Sequence, residues 1–426
     1  MRNALATKNL VAVSAARREA VLNAWQECDR ALLCSLESGL DLSPGREPSR
    51  GQDGFEEPAE APRACQTARG VLAFERAQPQ HFAILAAYGL GEVVSEALGA
   101  GFRHTITPLS GDLDAGRSNP SFTLAQAWAG VMKRRFASCF VDRLTATFSR
   151  GEWCSLKAAL VATGRAESNL AEDELVADRS TSTLTLSQAV QGGTPEERLA
   201  SVHRVRAELS TGEWHDVEAV SASGDDPARV TISAPGGSGE CRWRVLYAPR
   251  ETEPWLSFPQ PVAESPLHIS QVSLSVGGRW DGAEVRGGRA LNAELRRLDW
   301  ALDNHFELSA AAGCPGYAGL ALRGRREQKL TLTRDMRCGS LQHALGHALG
   351  TDEPFCLQVI AEGAEFAPGL GFRVELIWPR LVLLACTPGA KGVRLTEEAA
   401  CLPLEGEGVP SVICRVTNAQ AAYAGE

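Results

Sequence analysis

The sequence has little of what marks an enzyme, a membrane protein or a nucleic-acid binder. Aromatic residues make up 6% of its 426 positions, with only 4 tyrosines and 3 methionines. That leaves few side chains for the aromatic platforms that hold sugars or single-stranded nucleic acid. Positive charge is not in excess. The 43 Lys and Arg against 52 Asp and Glu leave a net charge of −9, which argues against a basic groove that grips DNA. No apolar run reaches membrane-spanning length, and the best, Leu381-VLLAC, is strand-sized. No GxSxG elbow occurs, and no pair of carboxylates has a recognisable catalytic setting. The 12 cysteines never form a CxxC pair. Nothing near the N-terminus reads as a secretory leader, since Asn9-LVAVSAA is short and runs into Arg17, Arg18 and Glu19. The cysteines are therefore expected to be reduced thiols filling small apolar sites in a protein made in the cytosol.

What the sequence does have is one pattern near both ends, a strand, a short helix and a strand. The first copy runs through Gly70-VLAF, Pro79-QHFAILAAYGLG and Phe102-RHTITP. The second runs through Lys329-LTLTRD, Ser340-LQHALGHALG and Phe355-CLQVIAEG. In the first, Pro79 suits the opening turn of a helix that Gly89 and Gly91 would end, with Phe82, Leu85 and Ala86 as its apolar stripe. Between Val141 and Ala162 apolar residues alternate (Leu144, Ala146, Phe148, then Leu156, Ala158, Leu160) about a turn at Arg150-Gly151. This predicts a long antiparallel hairpin with one apolar face. Glu294-LRRLDWALDNHFELSAA can be laid against that hairpin as strand, turn and strand. From 180 to 258, short strands punctuated by Gly, Pro and Asp predict a small β-sandwich of immunoglobulin-like type.

The expected organisation is mainly β, with two related units and a sandwich between them. Residues 1–69 are read as an N-terminal helix (10–37) and a Pro/Gly-rich arm. Residues 70–170 form the first β domain, 175–258 the sandwich and 260–426 the second β domain. A chain of this length is too long for one core.

The sharpest chemical signal is His343-ALGHALGTDE. His343 and His347 have the i, i+4 spacing of a zinc-protease helix, with Gly350 at the turn. Ala344 stands where such an enzyme needs its general-base glutamate, and Glu353 stands at the third ligand position. A short amphipathic helix buried by Leu341, Leu345 and Leu349 accounts for the same residues. Gly277, Gly278, Gly287 and Gly288 lack the spacing of a phosphate loop and predict a turn or loop. Arg323, Arg325 and Arg326 beside Glu327 predict a solvated or subunit-contacting edge. No catalytic residue, metal ligand or bound cofactor is expected.

The run from Gly70 through Phe102-RHTITP and Pro120-SFTL to Cys139-FVDRLTATFSRGEW resembles the tail tube (major tail) proteins of long-tailed bacteriophages. So do His268-ISQVSLSVGGRWDG, Arg289-ALNAELRRLDWALDN, Lys329-LTLTRD and Phe372-RVELIWPRLVLLA. The resemblance covers residues 70–165 and 266–426. It implies a structural virion subunit, assembled in the host cytoplasm, whose copies close into hexameric or trimeric pseudo-hexameric rings and stack into a tube. The other partners it implies are further tail proteins, and DNA would cross the lumen without specific binding or any membrane role. It also implies that the 110–120 and 277–288 loops could make contacts between rings. Two other readings stay open: a zinc-binding, metalloprotease-like protein using His343 and His347, and a virion-displayed β-sandwich for adhesion or carbohydrate binding.

Overall fold

The computed structural model describes residues 9–46, 61, 65–109, 119–128, 132–210, 212–225, 228–250, 253–313, 316–336, 341, 354–391, 394–406 and 408–425. The chain is mainly β. Among the described residues no helix is long and apolar enough to cross a membrane. Two compact units form. One takes Met1–Val11, Ala125–Arg135 and Ala166–Pro259, and the other takes Ala12–Leu124, Phe136–Arg165 and Gln260–Glu426.

The first stretch of chain contributes β1 (Asn9–Val13), β2 (Arg30–Leu32), β3 (Gly39–Ser43), β4 (Thr67–Phe74), α1 (Pro79–Leu90), β5 (Gly91–Leu98), β6 (Gly101–Pro108), β7 (Phe122–Trp128), β8 (Met132–Ser149) and β9 (Ser155–Ala162). The helix expected over 10–37 does not form. Val11, Ala12 and Val13 are all fully buried, which a strand covered on both faces achieves and a one-sided helix does not. The chain then loops, held by Glu19, whose buried carboxylate accepts the hydroxyls of Ser121, Thr123 and Ser138 at 2.6–2.7 Å. Of the expected Pro/Gly-rich arm, residues 41–43 complete β3, and 47–60 and 62–64 lie outside the described residues.

α1 forms where Pro79 and the glycines place it. Gln78 and His81 make a capping box, and Gly91 ends the helix at φ +105°. All twelve of its residues are buried rather than one stripe, so it is a core helix. Its ring of Phe82 stacks on Phe148 of β8 at 6.2 Å. The β8–β9 hairpin also forms as the alternation predicts, with its six named apolar residues at most 2% exposed.

The middle stretch begins with β10 (Ala166–Ser168) and then forms a sandwich from β11 (Ala171–Asp178), β12 (Thr183–Thr185), α2 (Pro195–Ala200), β13 (Val202–Ser210), β14 (Glu213–Val217), β15 (Ala219–Ala222), β16 (Arg229–Ile232) and β17 (Glu240–Tyr247). Sheets β11-β17-β13-β14 and β12-β16-β15 enclose Trp243, Tyr247, Leu184 and Val230. Four and three strands are the count of an immunoglobulin constant domain, but the order differs. Here the first strand pairs with the last rather than with the second.

The last stretch supplies β18 (Val272–Val276), β19 (Arg279–Trp280), β20 (Val285–Arg286), β21 (Arg289–Ala290), β22 (Leu295–Asp303), β23 (Phe306–Ser309), β24 (Leu320–Arg323), β25 (Glu327–Asp335), β26 (Phe355–Ala367), β27 (Leu370–Lys391), β28 (Arg394–Pro403) and β29 (Ile413–Asn418). Pairing shows a repeat. The pairs β1–β2, β1–β7, β3–β4, β4–β9 and β8–β9 are matched in order by β18–β21, β18–β26, β22–β25, β25–β28 and β27–β28. The irregularities match too. β8 slips register between Val141 and Arg143 opposite Leu160 and Ala159, and β27 slips between Leu383 and Ala385 opposite Cys401 and Ala400. A β-bulge at the same rung of both hairpins is a specific feature, not a by-product of alternation. The repeat differs from the alignment read in the sequence. β22 is the hydrogen-bonded neighbour of β8, and its counterpart is β3.

Candidate assembly edge and channel face

The two repeated blocks share one sheet. β3–β4–β9–β8 is continued through β8–β22 by β22–β25–β28–β27, so the second block repeats the strand order of the first. One face of this run is apolar and carries Leu40, Leu72, Phe148, Trp300 and Leu332, all at most 1% exposed. The other carries small polar or apolar residues such as Thr145, Thr147, Ala159, Ala301, Thr331, Thr333 and Ala400, each half-buried. It carries charges of both signs. Arg69, Arg143, Lys157, Arg297 and Lys329 alternate with Asp41, Asp299, Asp303, Glu327 and Glu398 on the same pleat. Four of these form two ion pairs within the face, Arg143–Asp303 at 2.5 Å and Arg297–Asp299 at 2.6 Å. Leu402, 37% exposed, is an apolar exception on this face.

β5 is an open edge. Its eight residues pair with β6 alone among the described strands. The Leu109 N–H donates to Leu90 O at 2.8 Å, which fixes the alternation along β5–β6. Leu90, Glu92, Val94 and Glu96 then bond inward, and Val93, Ser95 and Ala97 direct their N–H and C=O outward. Val94 is 53% exposed on this edge. Glu92 and Glu96 give it charge, a usual guard against indiscriminate strand pairing.

Buried polar groups fix the helix that supports the sheet. At the C-terminal end of α1, Asn119 Nδ2 donates to Gly89 O at 2.7 Å, Asn304 Nδ2 to the same oxygen at 2.9 Å, and Arg326 Nη2 to Leu90 O at 3.0 Å. These satisfy carbonyls that a helix end leaves bare, and the guanidinium complements the dipole. Burial lowers Arg326 to about 10. Arg323 binds Asn119 at 2.7 Å, and Arg325 is exposed. Two of the three arginines expected at a solvated edge therefore hold structure together. At the other end of α1, Glu264 accepts the Gln80 N–H at 2.6 Å and Asn418 Nδ2 at 2.9 Å. Burial raises its carboxyl to about 7 against the pull of those donors and of Arg30. His81, stacked on Phe74 at 3.9 Å, is lowered to about 3 by burial.

The ten described cysteines form no disulfide with one another. Burial raises Cys154, Cys356, Cys401 and Cys414 to about 12, so they pack as small apolar groups rather than react. His343, Ala344, His347, Gly350 and Glu353 lie outside the described residues. Of that segment Leu341 is described, helical and buried, with its N–H donating to Glu397 at 2.9 Å. Among the described residues no three His, Cys, Asp or Glu side chains gather to hold a metal ion. The 277–288 loop forms the β19–β20 hairpin, and its Trp280 and Val285 pack on Cys356, Ile377 and Ile413. Residues 110–118 of the other loop lie outside the described residues. The open edge of β5 went unread in the sequence. Its signal was the pair of glutamates four apart in Gly91-EVVSEAL, a charged strand beside a buried helix.

Compared with known proteins, the chain matches no protein-family model and no curated protein sequence.

Proposed function

We propose that this chain is a structural subunit of a bacteriophage tail tube, whose copies close around a hollow axis and stack, with the sandwich as a decoration. The observation that carries the reading is the repeat of β3–β4–β9–β8 as β22–β25–β28–β27 in one sheet. A sheet that repeats its own strand order within a chain is suited to continue the repeat between chains, and ring closure removes the remaining edges. The mixed charge and small side chains of the sheet's polar face would let DNA slide without being held. The open edge of β5 offers a second set of contacts between copies.

Electron microscopy of the concentrated full chain tests this. Annular particles or hollow filaments are the expected result, and a protein that stays monomeric by light scattering at the same concentration overturns it. The Ala97→Pro variant tests the edge. It removes an outward-facing N–H without touching the β5–β6 bonds, so the fold should survive while stacking or ring formation weakens. Unchanged assembly would take β5 out of the contact.

A further inference from the structure

On the solvent face of β6–β29–β27, three guanidinium groups converge on a cavity that nothing in the assembly reading requires. Arg103 of β6 stands opposite Glu96 across β5–β6, where opposite charges ordinarily pair. No ion pair joins them, and Arg103 lines a cavity of about 310 Å3 under the β19–β20 hairpin instead. The register brings its partners there. Arg103 is level with Thr417 of β29, and Thr417 with Arg373 of β27, so a hydroxyl lies between two arginines one strand away on either side. Arg415 lies two residues along β29 from Thr417, on the same face.

These donors are poorly satisfied within the protein. Glu375 is 4.0 Å from Arg373 and 3.8 Å from Arg415, beyond hydrogen-bond length, and it accepts Gln358 Nε2 at 2.5 Å. Arg373 reaches Glu362 at 3.1 Å, and Arg415 Nη2 donates to Ala283 O at 2.7 Å. Arg415 Nε is buried with no partner, and the Arg103 side chain makes no hydrogen bond or ion pair among the described residues. Glu284 and Glu375 also line the cavity. With Arg373 paired to Glu362, the Arg103 side chain and the Arg415 Nε are the donors left to face the cavity, beside the Thr417 hydroxyl.

We propose that this cavity binds a phosphate group, with Arg103 and Arg415 donating from either side and the Thr417 hydroxyl from the floor. Guanidinium groups approaching from several directions suit an acceptor with oxygens in several directions, which a single carboxylate lacks. The cavity is larger than a bare phosphate and leaves room for a phosphomonoester.

The test is calorimetric titration of the full chain with inorganic phosphate, against chloride at equal ionic strength. Binding of phosphate and not chloride is expected. Arg103→Ala should weaken it at least tenfold, the worth of one charge-assisted hydrogen bond, and Arg103→Lys should recover part of the loss. Arg103 is exposed, so the variants should fold, and circular dichroism checks that they do. Wild-type protein that responds to phosphate as it does to chloride overturns the proposal, as does an Arg103→Ala variant that binds phosphate equally well.

Discussion

Glu264→Gln should make the protein's stability less dependent on pH. Glu264 is 5% exposed, and burial raises its carboxyl from an ordinary 4.5 to about 7. A raised acid favours folding relative to its ionised form. Below pH 4.5 both folded and unfolded states keep the proton, and the group costs nothing. Between 4.5 and 7 the unfolded chain loses its proton first, so stability falls as pH rises, and above 7 the loss is complete. The gap corresponds to about 3 kcal/mol at 1.36 kcal/mol for each tenfold change. An amide cannot ionise. Its oxygen can still accept the Gln80 N–H, while its NH2 meets the Asn418 donor, a fixed cost at every pH. Comparing pH slopes removes that fixed cost. Urea unfolding of both proteins at pH 4.5, 6, 7 and 8 should show the wild type losing about 3 kcal/mol more than the variant across the series. Parallel pH profiles would show that Glu264 ionises normally in the fold, and the burial argument would fail.

Arg334→Leu should cost about 3–5 kcal/mol, because Glu397, 2.6 Å from the buried guanidinium, would lose its counter-charge, and Glu294, 2.5 Å from it, would keep only Arg289 at 3.0 Å. Adding Glu397→Leu should recover part of the loss, since the first block fills the matching rung with Phe74 and Leu156; denaturant midpoints measure both. Gly70→Ala should destabilise by about 1–3 kcal/mol, because a Cβ at Gly70 would stand 1.9 Å from the Gly39 carbonyl oxygen. Hydrogen exchange should then rise first in β3.

Much of the β architecture was legible in the sequence. Period-two alternation placed the β8–β9 hairpin, and Pro79 with Gly91 placed α1. The N-terminal strands were not legible. Val13, Ala16, Ala20 and Ala24 fall at helical spacing, and only burial on both faces of β1 shows that the spacing is incidental. The repeat was legible as repetition but not as a correspondence. Any half-buried strand can be laid on any other, so β22 aligned with β8, the strand it bonds to. Register and bulges are long-range facts, and no local pattern holds them. The cavity of Arg103 and Arg415 was illegible for the same reason. Its residues lie over three hundred positions apart and meet through the β6–β29 pairing.

The geometry of the repeat is kept where its chemistry is not. Phe74 and Leu156 in the first block stand where Arg334 and Glu397 stand in the second, an apolar contact against a buried ion pair. The bulged residue is Asp142 in one hairpin and Leu384 in the other. Leu40 matches Trp300. What differs more grossly lies in connections. β5–β6 follows α1, β19–β20 lies between β18 and β21, β23–β24 lies between β22 and β25, and the sandwich lies between the blocks. Chain added to a connection costs little, whereas a changed strand order disrupts every rung of a sheet. An enzyme scaffold commonly carries its chemistry on variable loops and can tolerate drift in sheet shape away from the site. Here side chains and connections vary while strand order and the hairpin bulge stay fixed, and on the proposed reading as a tube subunit that is what a sheet serving as the working surface requires.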